Sequence, residues 1–171
     1  MFNGVIDGGN SLRGVQPGQY NNKSETDKNI IFDIDETLGD FQLGSLLYSL
    51  YNYCYNKIPP IKYFNNKYLI EKKGIRPGTI ELFKVANLLK RLGKIDNIII
   101  FTSASNEKGW VTYIIKCICK LCEIPEDSIS KVITRENCFM KKNGRVVKDL
   151  KMICLDDSNT YIIDDKPEYV D

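Results

Sequence analysis

Four short apolar runs along the chain are typical of buried β-strands. They are residues 29–34 (NIIFDI), 98–101 (IIIF), 131–134 (KVIT) and 161–163 (YII). In each run the apolar residues are consecutive rather than alternating, so both faces of the strand would be covered by other parts of the protein. This pattern favours strands of a parallel sheet that is packed on both sides.

Helical patterns separate these strands. Residues 79–92 carry their apolar side chains along one broad stripe, and Arg76-Pro77-Gly78 in front of them is a helix start signal. Residues 107–122 are mostly apolar, which indicates a well-buried helix. The alternation of strands and helices predicts an α/β fold. We expect a Rossmann-like, mainly parallel sheet of roughly five strands, with right-handed crossovers and helices on both faces.

The chain divides into a leader and one domain. Residues 1–28 are rich in Gly, Asn, Gln and Ser without sustained periodicity, which predicts a flexible leader. Residues 29–171 are predicted to form a single domain with a small insertion at 40–75, placed as a cap over the end of the first strand. Within the insertion, residues 43–55 indicate a helix, whereas 63–70 are compatible with either helix or strand.

Composition and charge narrow the functional classes. The chain has 171 residues, of which 43% are hydrophobic and 27% charged, an ordinary balance for one globular domain. Its formal net charge of +2 does not argue for a nucleic-acid partner and does not exclude one. No apolar run approaches the roughly 20 residues of a membrane span, and the N-terminus lacks a signal-peptide pattern. We therefore expect an intracellular protein of the cytoplasm or nucleus without a membrane partner.

The chain contains no histidine, which excludes Ser-His-Asp and Cys-His catalysis. Acid–base chemistry would have to come from carboxylates, lysine, tyrosine or cysteine. Cys117, Cys119 and Cys122 allow a zinc hypothesis, but on a helix Cys117 does not share the face of the other two. We favour buried free thiols in a reducing compartment.

Two acids at the end of the first strand are the first candidate for chemistry. Asp33 and Asp35 are two residues apart, so in extended backbone they point to the same side. Close carboxylates repel unless they share a proton or a cation, and Mg²⁺ is a hard cation that prefers oxygen ligands. A calcium loop or a simple acidic turn is the alternative explanation.

Two further strand ends carry polar residues. Thr102 and Ser103 follow the second strand, where hydroxyl and amide groups can hold a phosphate oxygen, although both residue types are common in loops. Asp164 and Asp165 close the fourth strand. Because the carboxyl ends of parallel strands form the ligand site of open α/β sheets, we expect Asp33, Thr102 and Asp164 to cluster there. The additional acids supply further oxygen ligands for Mg²⁺.

A hairpin and a lysine precede the last strand. Asn143-Gly144 at the centre of residues 139–147 is a hairpin turn signal. Lys148 follows directly, between the apolar pair Val146-Val147 and Leu150, where its charge requires a carboxylate or a phosphate as partner. An ordinary lysine that extends its charged end to the surface is the alternative.

The order of these motifs resembles that of the haloacid dehalogenase superfamily over residues 29–170. Shorter blocks resemble the RNA polymerase II carboxy-terminal-domain phosphatases, also called NLI-interacting-factor-like phosphatases. These blocks are DIDETL, Arg76-Pro77-Gly78, FTSAS (101–105), RENC (135–138), VKDL (147–150) and IIDDKP (162–167). The chain differs from that family in having Gly39-Asp40 after DETL and a helical pattern in the insertion.

The resemblance implies a magnesium-dependent phosphatase with assigned residues. Asp33 resembles the nucleophile and Asp35 the general acid/base. Mg²⁺ would be bound by the carboxylate of Asp33 and the backbone carbonyl of Asp35. In the last motif Asp165 resembles the direct metal ligand, and Asp164 a supporting acid toward Lys148. The residues expected to bind the phosphate are Thr102, Ser103 and Lys148.

The implied substrate is phosphoserine or phosphothreonine in a protein or peptide. A phosphatase of nucleic-acid ends or of small phosphate esters would use the same catalytic residues, because a fold does not fix the substrate. An inactive module that binds phosphopeptides is a third hypothesis, from another functional class.

Overall fold

A computed structural model of the chain describes residues 27–71, 73–140, 144, 146–153 and 157–170. The leader predicted at 1–28 lies almost entirely outside the described residues. Over these residues the regular elements are six strands and four α-helices, beside shorter 3₁₀ and π-helical turns. The strands are β1 (Asn29–Phe32), β2 (Asn97–Phe101), β3 (Lys131–Ile133), β4 (Phe139–Met140), β5 (Val146–Val147) and β6 (Thr160–Ile163); the helices are α1 (Gln42–Tyr55), α2 (Ile61–Phe64), α3 (Thr79–Arg91) and α4 (Trp110–Cys122).

Four of the strands form one parallel sheet in the order β3-β2-β1-β6. Ile31 in β1 pairs with Ile99 on one side and with Ile162 on the other. The predicted α/β fold with a parallel sheet is therefore confirmed. In the described part of the chain this sheet has four strands rather than about five. The remaining two strands, β4 and β5, pair separately and antiparallel.

The two faces of the sheet carry separate apolar clusters, which explains why the strands are apolar at consecutive positions. Phe32, Ile98 and Ile100 face a large cluster that includes residues of α3 and α4. Phe83 of α3 stacks on Phe32 with ring centroids 4.8 Å apart. The opposite face carries Ile31, Ile99, Phe101 and Ile133, with Ile162 of β6 beside them, and in the described residues it is packed against Cys138, Leu150 and Ile153 of shorter segments. Each buried side chain of this size contributes about 1.5–3 kcal/mol to stability.

Both long crossover helices begin at a glycine with positive φ. Gly78 precedes α3 with a φ of 88°, and Gly109 precedes α4 with a φ of 76°. Residues with side chains rarely adopt this conformation. The helix predicted from residue 107 therefore starts as a short 3₁₀ turn, Glu107–Gly109, and continues as α4. None of the helices among the described residues combines the length and the apolar character needed to cross a bilayer.

The cysteines of α4 are buried free thiols. Cys117, Cys119 and Cys122 are each at most 1% exposed. Burial raises the pKa of Cys117 and Cys119 to about 12, so both remain protonated at neutral pH. In the described residues, the group of three possible ligands close enough to share a metal contains no cysteine. These surroundings support buried thiols rather than zinc ligands.

The insertion is helical and is anchored by two tyrosines. Residues 63–70, for which helix and strand were both open, continue from α2 into a π-helical turn, Asn65–Ile70. Tyr68 packs against Gly44 and Gly74, where any side chain would clash with its ring. Tyr48 of α1 packs on Trp110, and its hydroxyl donates to the carbonyl of Lys108 at 3.0 Å. These contacts fix α1 beside the start of α4.

The predicted hairpin at 139–147 is present as a strand pair. Phe139 pairs with Val147 and Met140 with Val146 in antiparallel register. The turn signal lies mostly outside the described residues, apart from Gly144, which has a φ of 78°. A positive φ is what the expected turn requires of this glycine. The hairpin ends directly before Lys148.

Candidate active site

The carboxyl ends of β1, β2 and β6 meet at one edge of the sheet, and polar residues follow each of them. Asp33 comes after β1, Thr102 after β2 and Asp164 after β6. The amide of Asp33 donates to the carbonyl of Ile163, and that of Thr102 to the carbonyl of Ile133, each at 3.0 Å. These bonds continue the strand pairing beyond the strands, so they fix the backbone positions of Asp33 and Thr102 at the edge of the sheet.

Lys148 supplies a buried positive charge between two of these acids. It is 5% exposed. Its Nζ lies 2.6 Å from Oδ1 of Asp33 and 2.6 Å from Oδ2 of Asp164. A buried ammonium group is tolerated when carboxylates at this distance compensate its charge. The hairpin therefore brings a cation to the nucleophile candidate from 115 residues further along the chain.

The adjacent acids Asp164 and Asp165 have different surroundings. The side chain of Asp164 is 3% exposed, and its Oδ1 accepts a hydrogen bond from the amide of Lys166 at 2.8 Å. The side chain of Asp165 is 21% exposed. Its Oδ1 accepts from the hydroxyl of Thr37 at 3.1 Å, and its Oδ2 lies 3.6 Å from Nζ of Lys166. Asp164 thus belongs to the buried ion-pair network, and Asp165 lies on its more open side.

Three carboxylates are close enough to share a cation. One ligand oxygen each from Asp33, Asp164 and Asp165 lies within 4.8 Å of the others. We call these three residues the acid cluster. Carboxylates this close repel one another, and Lys148 compensates only part of their charge. Oxygen donors of this kind fit Mg²⁺. The fourth predicted ligand, Asp35, is expected to contribute through its backbone carbonyl, and its carboxylate lies outside the cluster.

Asp33 and Asp35 differ in how their charges are supported. Burial raises the pKa of Asp35 to about 6, and the negative charges of Asp33 and Glu36 add to the shift. Burial also raises the pKa of Asp33, but the contact with Lys148 partly offsets this effect. A carboxyl group with a pKa near 6 can both donate and accept a proton near neutral pH. The pair therefore offers one carboxylate held by a cation and one acid available for proton transfer.

The sequence profile of the NLI interacting factor-like phosphatases matches residues 28–171. The chain belongs to this family. The resemblance of the short motifs is confirmed over almost the whole described chain. Membership supports phosphatase activity in general, on a site whose acids follow the strand ends. None of the individual curated proteins compared with the chain matches it.

In this NLI interacting factor-like phosphatase the two hydroxyl candidates occupy different positions. Thr102 is fully buried, and its hydroxyl oxygen accepts from the amide of Ala104 at 3.1 Å. Ser103 is partly exposed and lines the cleft beside the acids. Thr102 therefore shapes the loop that follows β2, and Ser103 is the residue of the pair that faces the space available to a ligand.

Two further residues of the phosphatase hold this loop, residues 103–106, in place. The carboxylate of Glu136 accepts hydrogen bonds from the hydroxyls of Ser105 and Thr134. Although burial acts to raise it, these bonds hold the pKa of Glu136 below its usual value. Nε of Arg135 donates to a backbone carbonyl of the loop at 2.6 Å. The RENC block contained both residues, but its sequence gave no indication of these contacts.

Two clefts meet at the site. The catalytic cleft, of about 510 Å³, lies among the acid cluster, Ser103, Lys148 and Val146. The side cleft, of about 530 Å³, runs between α1 and the start of α4; it is lined there by Gln42, Ser45, Ser49, Lys108 and Trp110. Asp35, Arg135 and Lys166 line both clefts. The insertion thus forms one wall of a groove that leads to Asp35.

Proposed function

We propose that the protein is a magnesium-dependent phosphatase that forms an aspartyl-phosphate on Asp33 and acts on phosphoserine or phosphothreonine of proteins. The observation that carries the proposal is the position of Asp33: it is buried at the carboxyl end of β1, bonded to Lys148 and within reach of the other carboxylates of the acid cluster. Buried ionisable groups with a specific charged partner cluster at functional sites, so a carboxylate in these surroundings is a candidate nucleophile.

The reaction proceeds in two displacements. The carboxylate of Asp33 attacks phosphorus, the bond to the ester oxygen breaks, and Asp35 gives that oxygen its proton. Water then attacks the phosphorus of the aspartyl-phosphate and loses a proton to Asp35, which releases inorganic phosphate and regenerates Asp33. The raised pKa of Asp35 is in line with its service as acid in one step and base in the next.

The other residues lower the cost of bringing two anions together. Lys148 places a positive charge next to the attacking carboxylate, where it also stabilises the transferring oxygens. Ser103 and the loop after Thr102 provide polar contacts for the phosphate. A bound Mg²⁺, held by Asp33, Asp165 and the carbonyl of Asp35, would supply the charge that lets the anionic carboxylate approach the anionic phosphate.

The side cleft supports a protein substrate over a small ester. It begins at Asp35 and extends along α1, so it offers space for residues next to a phosphorylated side chain. Its walls combine hydroxyl, amide and aromatic groups with charges of both signs, rather than the basic surface that a nucleic-acid end requires. A phosphorylated segment of polypeptide therefore fits this groove better than the alternatives.

A substrate screen tests the proposal directly. Purified protein with Mg²⁺ is given phosphoserine and phosphothreonine peptides, a terminally phosphorylated oligonucleotide and an aryl phosphate, and released phosphate is measured. We expect the highest kcat/KM on a phosphopeptide and loss of turnover in excess chelator. Preference for the oligonucleotide would support the nucleic-acid hypothesis. Phosphopeptide binding without turnover would support the binding module, and full activity in chelator would contradict the metal role.

A second prediction concerns the insertion. Ser45 and Ser49 are one helical turn apart and line the side cleft. Replacing both with tryptophan should fill the groove and lower kcat/KM on a phosphopeptide by about tenfold or more, a loss of ~1.4 kcal/mol. Turnover of an aryl phosphate should stay near that of the unmodified protein, because the catalytic cleft is unchanged.

The matched control is Leu46→Trp, which adds a tryptophan to the exposed face of the same helix. This variant should leave kcat/KM unchanged on both the phosphopeptide and the aryl phosphate. Equal losses on peptide and aryl phosphate in the Ser45→Trp/Ser49→Trp variant would show that the groove has no part in selecting substrates.

A further inference from the structure

Thr37 and Asp165 are joined by a pair of reciprocal hydrogen bonds. The hydroxyl of Thr37 donates to Oδ1 of Asp165 at 3.1 Å. The same oxygen of Thr37 accepts from the backbone amide of Asp165 at 3.0 Å. The two residues are 128 positions apart, so this is a contact between the loop after β1 and the loop after β6, and not a local turn. It fixes both the backbone and the carboxylate of Asp165 relative to the nucleophile loop.

The loop that carries Thr37 is itself tightly constrained. Glu36 has a φ of 62°, a left-handed conformation that is uncommon for a residue with a side chain. The amide of Glu36 donates to the carbonyl of Gly39 at 2.8 Å, and that of Leu38 to Ile34 at 2.9 Å. Leu38 is fully buried. Thr37 is therefore presented from a closed turn whose backbone has little freedom to move.

The carboxylate of Asp165 depends on this contact more than that of Asp164 does. Asp164 is held by a 2.6 Å ion pair with Lys148 and by a backbone amide. Within the described part of the chain, one oxygen of Asp165 accepts from Thr37, and the other has a longer, 3.6 Å approach from the half-exposed Lys166. The Asp165 side chain is 21% exposed, so it is less confined by packing than that of Asp164, and a contact that orders it restricts its rotation. Of these two contacts on the Asp165 carboxylate, the hydrogen bond from Thr37 is the shorter, at 3.1 Å.

We infer that Thr37 is a positioning residue, which orients Asp165 toward a divalent cation at the acid cluster. The inference rests on the proposed function, since it requires a cation at that place. Partners that hold a metal ligand from behind set the affinity of the site, and their loss typically costs about 10- to 100-fold in metal binding. Thr37 meets this description by geometry: it contacts the ligand and lies outside the acid cluster.

The test measures cation binding as well as turnover. In Thr37→Val the side chain keeps its shape and loses its hydroxyl, whereas Thr37→Ser keeps the hydroxyl. We expect Thr37→Val to bind Mg²⁺ at least about tenfold more weakly in calorimetry. Mn²⁺ binding should weaken by a similar factor, as measured by the electron paramagnetic resonance signal of the free ion. The Mg²⁺ concentration for half-maximal activity should rise by the same factor, and kcat at saturating Mg²⁺ should recover. Thr37→Ser should restore affinity to near that of the unmodified protein.

Thr79→Val is the matched control. The hydroxyl of Thr79 donates to the carbonyl of Leu38 at 2.9 Å, so its loss removes a buried bond from the same loop without touching an acid. This control should lower the melting temperature and leave Mg²⁺ affinity unchanged.

Two outcomes would overturn the positioning role: unchanged Mg²⁺ affinity in Thr37→Val, or an equal loss of affinity in Thr79→Val. In both cases the proposed function would stay intact if the unmodified protein binds Mg²⁺ and hydrolyses a phosphate ester. Hydrolysis by the unmodified protein without any Mg²⁺ binding would contradict the proposed function itself.

Discussion

Replacing Lys148 with methionine is expected to lower kcat/KM by about 10²-fold or more, the usual scale for one group that stabilises developing charge. The acid cluster and the phosphate together carry more negative charge than one Mg²⁺ neutralises. Lys148 is buried, and its Nζ lies 2.6 Å from both Asp33 and Asp164. Methionine fills the same space without charge, so the loss would report on electrostatics rather than on a cavity.

The same substitution should also cost stability in a way that depends on the metal. Without Lys148, Asp33 and Asp164 remain buried with no counter-charge, and breaking a buried ion pair costs roughly 3–5 kcal/mol. A cation at the acid cluster would restore part of that charge balance. We therefore expect the melting temperature of Lys148→Met to fall in chelator and to recover partly in Mg²⁺.

Lys166→Met is the control for this prediction. Lys166 is adjacent to the acids in sequence, but its side chain is 49% exposed, and its contacts with Glu36 and Asp165 are 3.4 and 3.6 Å long. Exposed ion pairs of this length contribute little. Removing this charge should lower kcat/KM and the melting temperature much less than Lys148→Met does. Near-normal rates in Lys148→Met with a severe loss in Lys166→Met would show that the essential cation is the other lysine.

The positions of Asp33, Thr102 and Asp164 could be predicted from sequence because of one geometric rule. Each follows a short apolar run, and the carboxyl ends of parallel strands lie at one edge of a sheet. Hydrophobic patterning is sufficient to find such strands and the longer helices. The order of strands, β3-β2-β1-β6, does not follow from any local pattern, because pairing depends on contacts between distant segments.

Residues that act through tertiary contacts were much harder to predict. Lys148 follows a strand of only two residues, and its role came from the resemblance of the VKDL block rather than from periodicity. Thr37 was visible as part of DIDETL, yet its bond to Asp165 spans 128 positions. Glu136 is a loop acid whose partners come from two other segments. A polar residue in a loop has no periodic signal, so only the folded chain shows what it contacts.

The insertion contains one element that the sequence predicts and one that it does not. The helix predicted at 43–55 is present as α1, because its apolar residues recur with helical spacing. Residues 63–70 stayed open between helix and strand, and their π-helical turn is an irregular form that local propensity does not favour. Within that turn Tyr68 packs against Gly44 and Gly74, which leave room for its ring, a tertiary contact that no local pattern predicts.

Replacing Asp33 with asparagine is expected to abolish turnover, with a loss on the order of 10⁴-fold or more in kcat/KM, the scale seen when an enzyme loses its nucleophile. Asparagine has the same shape but no charge, and its amide does not form the acyl-phosphate. The variant should remain folded, because Lys148 keeps its 2.6 Å contact with Asp164 and is not left without a partner. Thermal unfolding and steady-state kinetics measure the two effects separately.

Beryllofluoride distinguishes a lost nucleophile from a general disturbance of the site. As an acyl-phosphate mimic it should bind Asp33 in the presence of Mg²⁺ and raise the melting temperature of the unmodified protein, since a ligand that binds only the folded state stabilises it. Asp33→Asn should show no such shift. Asp40→Asn, a change of the same kind at an exposed acid seven positions further along, should keep both the shift and the activity. If Asp33→Asn were stabilised as strongly as the unmodified protein, the acyl-phosphate would have to form on another carboxylate, and Asp35, next to it and partly buried, would be the first to examine.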